Sequence, residues 1–152
     1  MKRRILLVDD DLTVLLTLKA VLELHGFEVE TAGSSTEAFA RMEGGVYQMV
    51  ISDLRMETEE AGLEVIRRAR RQAYDPATAL LTAYPPSGEY WGGKQRGGEE
   101  WAGVSADSLL IKPLGTSDLL RQVEALLIRH ADKQLYQSNS GPKAQEAKGH
   151  AG

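Results

Sequence analysis

The chain alternates between two kinds of apolar segment, and this alternation restricts its possible folds more than any other feature. Short runs of aliphatic residues, such as ILLV at residues 5–8, are followed by longer stretches in which apolar residues recur at helical spacing. The run at residues 5–8 contains no alternating polar residues, which is typical of a strand buried on both faces of a sheet. The pattern therefore predicts repeated β-α units around a parallel sheet.

The predicted elements follow one another in the order of a doubly wound α/β domain. One helix begins at Ser34, where Glu37 follows three residues later at the spacing of a capping box. We expect a doubly wound, five-stranded parallel sheet with right-handed crossovers and helices on both faces, and we take its strand order to be 2-1-3-4-5, a common order in such folds. The predicted strands are residues 5–8, 27–31, 46–52, 78–82 and 108–111, and the predicted helices are residues 12–25, 34–42, 62–72 and a last one that begins near Thr116.

Two stretches do not follow this alternation. Residues 84–106 are rich in glycine and proline where the repeat calls for another helix, and we expect at most part of this segment to be helical. From about Lys133 the chain loses its apolar periodicity, which predicts a disordered tail at residues 133–152. The folded domain is therefore predicted to span residues 1–132.

Composition and charge exclude several classes of protein. The 152 residues include no cysteine, which rules out disulfide scaffolds, thiol nucleophiles and cysteine metal sites. Residues 1–132 carry 15 basic and 21 acidic side chains, and this net charge of −6 argues against direct binding of nucleic acid. The first apolar run is too short for a signal peptide or a membrane span, so we expect a cytoplasmic protein that does not enter the membrane.

Polar side chains stand where four of the predicted strands end. Asp9 and Asp10 follow the first strand, Asp53 follows the third, Thr82 ends the fourth and Lys112 follows the fifth. The carboxyl ends of parallel strands lie at one edge of a sheet, where sites of such folds form. The sequence therefore predicts that these five side chains share one pocket.

Three carboxylates in one pocket would repel one another, and either a proton or a hard dication relieves that repulsion. We favour Mg²⁺, because it prefers oxygen ligands. With Mg²⁺ and Lys112 balancing the charge, a phosphoryl group could be held in line for attack by a carboxylate. Asp53 is then the candidate nucleophile.

In their order and spacing, these motifs resemble the receiver domain of two-component response regulators. LLVDDD is similar to the acidic pair of that family, VISDLRM to its phosphoacceptor strand, LLTAY to its Thr-Ala element and LIKPL to its Lys-Pro signature. The resemblance covers roughly residues 3–131. It implies a flavodoxin-like, CheY-like three-layer sandwich and a signalling domain, not a separate enzyme, that assists its own phosphorylation and dephosphorylation.

The resemblance also implies roles for individual residues. Asp53 would accept a phosphoryl group from a sensor histidine kinase or a histidine phosphotransfer protein. The output would be a contact with an unknown output protein, made by a stand-alone receiver or by its homodimer. The implied site comprises Asp9, Asp10, Asp53 and the backbone carbonyl of Arg55 for Mg²⁺, Thr82, Ala83 and Lys112 for the phosphate, and Pro113 after a cis peptide bond.

The sequence departs from the family pattern at several positions. Glu57 stands where the family usually has proline, and Gly62 comes one residue later than is common. Leu109 occupies the position at which receivers commonly carry a tyrosine or phenylalanine that turns inward on phosphorylation. The segment from Thr82 to Lys112 is also longer than usual, which alters a face on which receivers often dimerise or bind partners.

These departures leave two alternatives open. A receiver-like adaptor that works without phosphorylation would explain Leu109 and the long segment before it. A haloacid-dehalogenase-like phosphatase would use Asp9 and Asp11 of a D-x-D-x-T motif. The phosphatase needs a further acidic motif beyond Lys112, and it leaves Asp53 without a role.

Overall fold

The structure is a computed structural model that describes residues 2–58, 60–82, 99–101, 104–112 and 115–146. Within these ranges the chain forms seven strands and four helices. The strands are β1 (Arg4–Val8), β2 (Glu28–Ala32), β3 (Met49–Asp53), β4 (Ala77–Thr82), β5 (Glu99–Trp101), β6 (Val104–Ala106) and β7 (Ser108–Ile111), and the helices are α1 (Leu12–Leu24), α2 (Ser35–Gly44), α3 (Ala61–Arg70) and α4 (Thr116–Glu146).

Five of the strands form one parallel sheet with the order β2-β1-β3-β4-β7. Strand β7 is the fifth strand predicted from the sequence, so the predicted order 2-1-3-4-5 is confirmed. Strand β3 begins at Met49, later than predicted, because the exposed Val46 precedes the hydrogen-bonded ladder. The two remaining strands, β5 and β6, form a separate antiparallel pair.

The core occupies both faces of this sheet. Ile5 and Leu7 of β1 pack with buried residues of α1 and α4, whereas Leu6 and Val8 pack with buried residues of α2 and α3. Successive strand residues point to opposite faces, so both faces need apolar side chains. This requirement explains the unbroken apolar run at residues 5–8.

The helix ends follow from local capping. The side chain of Ser34 accepts a hydrogen bond from the Glu37 N–H at 3.2 Å, which confirms the predicted start of α2. Glu37 in turn accepts from the Gly33 N–H at 2.8 Å, one residue before the cap. Gly26 adopts a positive φ of 93° just after α1, a conformation that favours glycine.

The structure differs from the sequence pattern after β4. Residues 99–106 include the β5–β6 pair, in which Trp101 lies opposite Val104, and residues 83–98 lie outside the described residues. Three-residue strands carry too little periodicity to be recognised in a sequence. The chain thus enters β7 from an antiparallel pair and not from a helix.

The last helix is also longer than predicted. The apolar pattern ends near residue 132, whereas α4 continues to Glu146. The predicted division into a folded domain at residues 1–132 and a tail at residues 133–152 stays a prediction. Lys133 and Gln134 of α4 reach back to Asp107 and Asp75 through polar contacts that leave no apolar pattern. Residues 147–152 lie outside the described residues. Among the helices that the structure describes, none is long and apolar enough to cross a membrane.

Asp107 joins β4, α3 and α4 at the amino-terminal edge of the sheet. Its Oδ2 accepts hydrogen bonds from the Thr78 N–H at 2.9 Å and the Thr78 hydroxyl at 3.2 Å. Lys133 Nζ and Arg70 Nη1 lie 3.5 and 3.7 Å from its Oδ1. Burial alone would raise the pKa of Asp107, but the Thr78 hydrogen bond and the neighbouring cations hold it below its ordinary value.

We expect Asp107→Ala to lower the free energy of unfolding by about 1 to 2 kcal/mol at neutral pH, because the Thr78 N–H loses a buried acceptor. The folded-state pKa is lowered, so this stabilisation is present above the ordinary value of 3.8 and is lost as the pH falls through the folded-state pKa. Urea denaturation at neutral and acidic pH measures both effects. The exposed Asp132→Ala is the control, and a difference from wild type that does not shrink in acid would contradict the expectation.

Candidate functional site

The sheet brings the predicted side chains to one edge. Asp9 directly follows β1, Asp53 is the last residue of β3, Thr82 is the last residue of β4, and Lys112 follows β7. Their strands are neighbours in the sheet order β1-β3-β4-β7. Thr82 is buried, and its carbonyl accepts a hydrogen bond from the Lys112 N–H at 2.9 Å, which joins the ends of β4 and β7.

Three acidic side chains form the centre of the site. Carboxylate oxygens of Asp9, Asp10 and Asp53 all lie within 4.8 Å of one another. Asp9 is fully buried and Asp53 is 8% exposed, whereas Asp10 is exposed. Lys112 Nζ lies 3.0 Å from Asp9 Oδ2 and 3.5 Å from Asp53 Oδ1, so one ammonium group partly balances two carboxylates.

The electrostatic balance of this pocket changes the acidity of Asp53. Burial raises the pKa of Asp53, the charges of Asp9 and Asp10 raise it further, and Lys112 offsets only part of this, which leaves the pKa at about 6. Burial would lower the pKa of Lys112, but the two neighbouring carboxylates raise it above its ordinary value. At neutral pH the pocket therefore holds a charged Lys112 ammonium and a mainly ionised Asp53 carboxylate. The ionised form of Asp53 is less stable here than in water, because it is buried beside two other carboxylates.

The backbone around Asp53 is fixed by a close approach of α3. The Leu54 N–H donates to the Leu81 carbonyl at 3.0 Å, and the Gly62 N–H donates to the Leu54 carbonyl at 2.8 Å. A Cβ built on Gly62 would lie 2.1 Å from the Asp53 carbonyl oxygen and 2.6 Å from Leu54 Cα. Only glycine fits at this position. Although Gly62 comes one residue later than is common in the family, it still allows close contact between α3 and the end of β3.

The donor set fits a hard dication such as Mg²⁺. Asp9 Oδ1 accepts a hydrogen bond from the Asp11 N–H at 2.9 Å, which orients the carboxylate. Although Lys112 Nζ lies 3.0 Å away, the buried Asp9 Oδ2 has no aligned hydrogen-bond donor among the described residues. A buried oxygen in this condition, beside two further carboxylates, suits an oxygen-binding cation.

Other residues predicted for the site have different outcomes. Arg55 is half-buried in the loop after β3, and the role of its carbonyl as a ligand stays a prediction. Ala83 and Pro113 lie outside the described residues, so the predicted switch element and cis peptide bond stay predictions. Asp11 caps α1, where its Oδ1 accepts from the Thr13 N–H at 2.9 Å.

Leu109 is half-buried in the apolar layer beside the site. It lies on β7 and packs against one cluster of buried side chains from the loop after β3, from α3, from β4 and from β6. An aliphatic side chain thus stands where the family commonly has an aromatic one. The members of the cluster are Leu54, Leu63, Ile66, Leu80 and Ala106.

The sequence did not indicate one contact near the site. Glu57 Oε2 accepts hydrogen bonds from the N–H of Ser35 at 3.0 Å and from the hydroxyl of the same residue. The two residues are 22 positions apart, and neither belongs to a motif that would pair them. The only signal in the sequence is that Glu57 departs from the usual proline.

Comparison with known proteins is consistent with this geometry. Residues 5–124 match the response regulator receiver domain family. The transcriptional regulatory protein CpxR homolog of Haemophilus influenzae is 32% identical over 128 residues, which cover 84% of this chain and 52% of that protein. The chain thus spans about half the length of the curated relatives it matches.

Solved structures show the same fold. A CheY-like response regulator receiver domain protein from Methanospirillum hungatei has a TM-score of 0.73 at 25% identity, and the match covers 88% of this chain and 99% of that one. The response regulator protein TrrA from Thermotoga maritima, solved in complex with Mg²⁺-BeF, has a TM-score of 0.65 at 31% identity, with 82% and 98% covered.

Proposed function

Since the chain belongs to the response regulator receiver domain family, we propose that Asp53 accepts a phosphoryl group from a phosphohistidine on a sensor histidine kinase or a histidine phosphotransfer protein. The domain is a signalling module of a two-component system. The observation that carries the proposal is the position of Asp53, whose carboxylate lies among two further carboxylates and 3.5 Å from Lys112 Nζ.

The residues of the pocket support a simple division of roles. A carboxylate oxygen of Asp53 attacks phosphorus, the bond from phosphorus to the histidine nitrogen breaks, and the electron pair leaves with the imidazole. With a pKa of about 6, Asp53 is mainly ionised at neutral pH and able to attack. Lys112, already shared between two carboxylates, would turn to the phosphoryl oxygens as negative charge gathers there.

The acidic side chains would also hold Mg²⁺. Asp9, Asp10, Asp53 and the carbonyl of Arg55 are the proposed ligands, in keeping with the carboxylate cluster. Bound Mg²⁺ would supply positive charge beside the transferred phosphoryl group. The TrrA structure with Mg²⁺-BeF supports this proposal by similarity.

The response to phosphorylation is the next step of the proposal. The hydroxyl of Thr82, with the backbone of Ala83, would bind the phosphoryl group. Because Leu109 is already packed in an apolar cluster, we propose that the change is passed on without an inward-turning aromatic ring. The output is then contact with another protein, and a stand-alone role and a homodimer stay predictions.

The test is phosphorylation by a small phosphodonor. We expect the purified protein, incubated with the phosphodonor and Mg²⁺, to gain one phosphoryl adduct in intact mass spectrometry. The adduct should be lost in alkali, as an acyl phosphate is, and chelation of Mg²⁺ should prevent its formation. Repeated turnover of phosphoester substrates would instead support the phosphatase.

The position of Leu109 favours one second candidate, the adaptor that works without phosphorylation. Its half-buried packing against the α3–β4 layer needs no phosphoryl group. The same experiment separates the two functions, since an adaptor would acquire no adduct even with Mg²⁺ and excess phosphodonor.

A further inference from the structure

The loop between β3 and α3, residues 54–60, is fixed firmly at one end. The Leu54 N–H donates to the Leu81 carbonyl and the Leu54 carbonyl accepts from the Gly62 N–H, at 3.0 and 2.8 Å. This end of the loop therefore moves only with β4 and α3. The proposed Mg²⁺ ligand, the carbonyl of Arg55, follows one residue later.

A second attachment holds the loop three residues further on. Glu57 Oε2 accepts from the N–H and the hydroxyl of Ser35, the first residue of α2. The first N–H groups of a helix lack partners inside the helix and favour a nearby negative charge. The start of α2 therefore stabilises the hydrogen-bonded position of the Glu57 carboxylate.

Two further N–H groups at the start of α2, those of Gly33 and Glu37, have acceptors other than Glu57. Ser34 accepts from the Glu37 N–H, and Glu37 accepts from the Gly33 N–H. The helix therefore has its own cap, and the contact from Glu57 to Ser35 is an addition from a different part of the chain. Its effect falls on the loop more than on the helix.

Arg55 and Met56 lie between the two attachments. The Met56 N–H donates to the Thr58 carbonyl at 3.1 Å, and the Met56 side chain packs against the apolar cluster that contains Leu6 and Val8. We propose that Glu57 is a positioning residue, which ties the loop to α2 and thereby holds the Arg55 carbonyl where it can bind the cation. This role rests on the proposed function and deepens it by assigning the support of one ligand.

The proposal must be separated from a simple effect of charge. Glu57 is one more acid near a cation site and could raise cation affinity from a distance. A change at Ser35 removes the attachment without changing any charge. Ser35→Pro is suited to this, because proline is well accepted at the first position of a helix, and Ser34 before it is extended, with φ −157° and ψ 166°.

We expect Ser35→Pro to weaken Mg²⁺ binding by about three- to tenfold, as measured by calorimetry on the unphosphorylated protein. In the metal-free protein, amide hydrogen exchange of residues 55–58 should become faster. Ser35→Ala, which keeps the N–H, should lie between wild type and Ser35→Pro in both measurements. Thr36→Ala on the next, exposed residue of α2 is the matched control and should leave both unchanged.

A pair of charge variants completes the test. Glu60→Ala removes an acid from the same loop without touching Ser35, and Glu57→Ala removes the acid together with the oxygens that accept from Ser35. Equal losses of Mg²⁺ affinity in these two variants would overturn the positioning role, as would unchanged affinity and exchange in Ser35→Pro. A wild-type protein that fails to bind Mg²⁺ would overturn the proposed function itself, whereas the positioning role alone falls when wild type binds and Ser35→Pro binds equally well.

Discussion

Replacing Asp53 with asparagine is expected to abolish the phosphoryl adduct and, at about pH 8 without divalent cations, to raise the free energy of unfolding by about 2 kcal/mol. Both effects arise from one carboxylate that is buried beside Asp9. The pKa of Asp53 rises from an ordinary 3.8 to about 6, so ionisation is less favourable in the folded protein than in the unfolded chain. Asparagine avoids that cost, and Lys112 keeps its ion pair with Asp9.

The stability difference between Asp53→Asn and the wild-type protein should depend on pH. Because the folded-state pKa of Asp53 lies above the unfolded value, its favourable contribution is complete below pH 3.8 and is lost as the pH rises through about 6. The advantage of Asp53→Asn should therefore grow over this range and stay constant at higher pH. Urea denaturation in the presence of a chelator measures it.

The control is Asp10→Asn, which removes an exposed acid from the same cluster and should change stability less. Added Mg²⁺ should stabilise the wild-type protein more than Asp53→Asn, since a ligand stabilises the state that binds it. An asparagine variant that is less stable than wild type at every pH, or that still acquires the adduct, would show that Asp53 does not have the assigned environment or role.

Gly62→Ala is expected to lower the free energy of unfolding by at least about 3 kcal/mol, at or above the upper end of ordinary overpacking costs. The added methyl group would lie 2.1 Å from the Asp53 carbonyl oxygen, and a backbone atom cannot move aside as a flexible side chain can. Helix α3 would have to shift away from the end of β3. We therefore expect weaker phosphorylation of the molecules that still fold.

Gly44→Ala is the matched control, because Gly44 is the last residue of α2 and nothing lies within 4 Å of an added Cβ there. Alanine should stabilise that position by about 0.5 to 1 kcal/mol through its higher helix propensity. Thermal and urea denaturation of both variants measure the contrast. Similar stabilities for Gly62→Ala and Gly44→Ala would contradict the close approach of α3.

The sheet and the centre of the site could be predicted because their signals are local. The apolar run at residues 5–8 ends directly at Asp9, and the β-rich run of the third strand ends at Asp53. In parallel strands the ends of such runs share an edge, so simple reading of the chain places Asp9, Asp53 and Lys112 together. The hydrogen bonds and ion pairs of the structure then add distances and a raised pKa for Asp53.

The remaining features depend on contacts between distant residues that carry no pattern. Asp107 is held by Thr78, and Glu57 is held by Ser35, although neither pair belongs to a periodic or capping motif. The extension of α4 past Lys133 likewise follows polar contacts and not apolar spacing. A single sequence contains the residues of these pairs but not the information that they meet.

The assembly of the pocket from four strand ends has a consequence for the newly made protein. Asp53 is synthesised well before Lys112, and β7, the strand that Lys112 follows, is the last strand of the sheet along the chain. Until synthesis has passed β7, the nascent chain contains Asp9 and Asp53 but not Lys112, which pairs with both of them. If Asp53 accepts a phosphoryl group as proposed, fragments that end before Lys112 should therefore not be phosphorylated, because their acidic side chains lack the lysine that pairs with them.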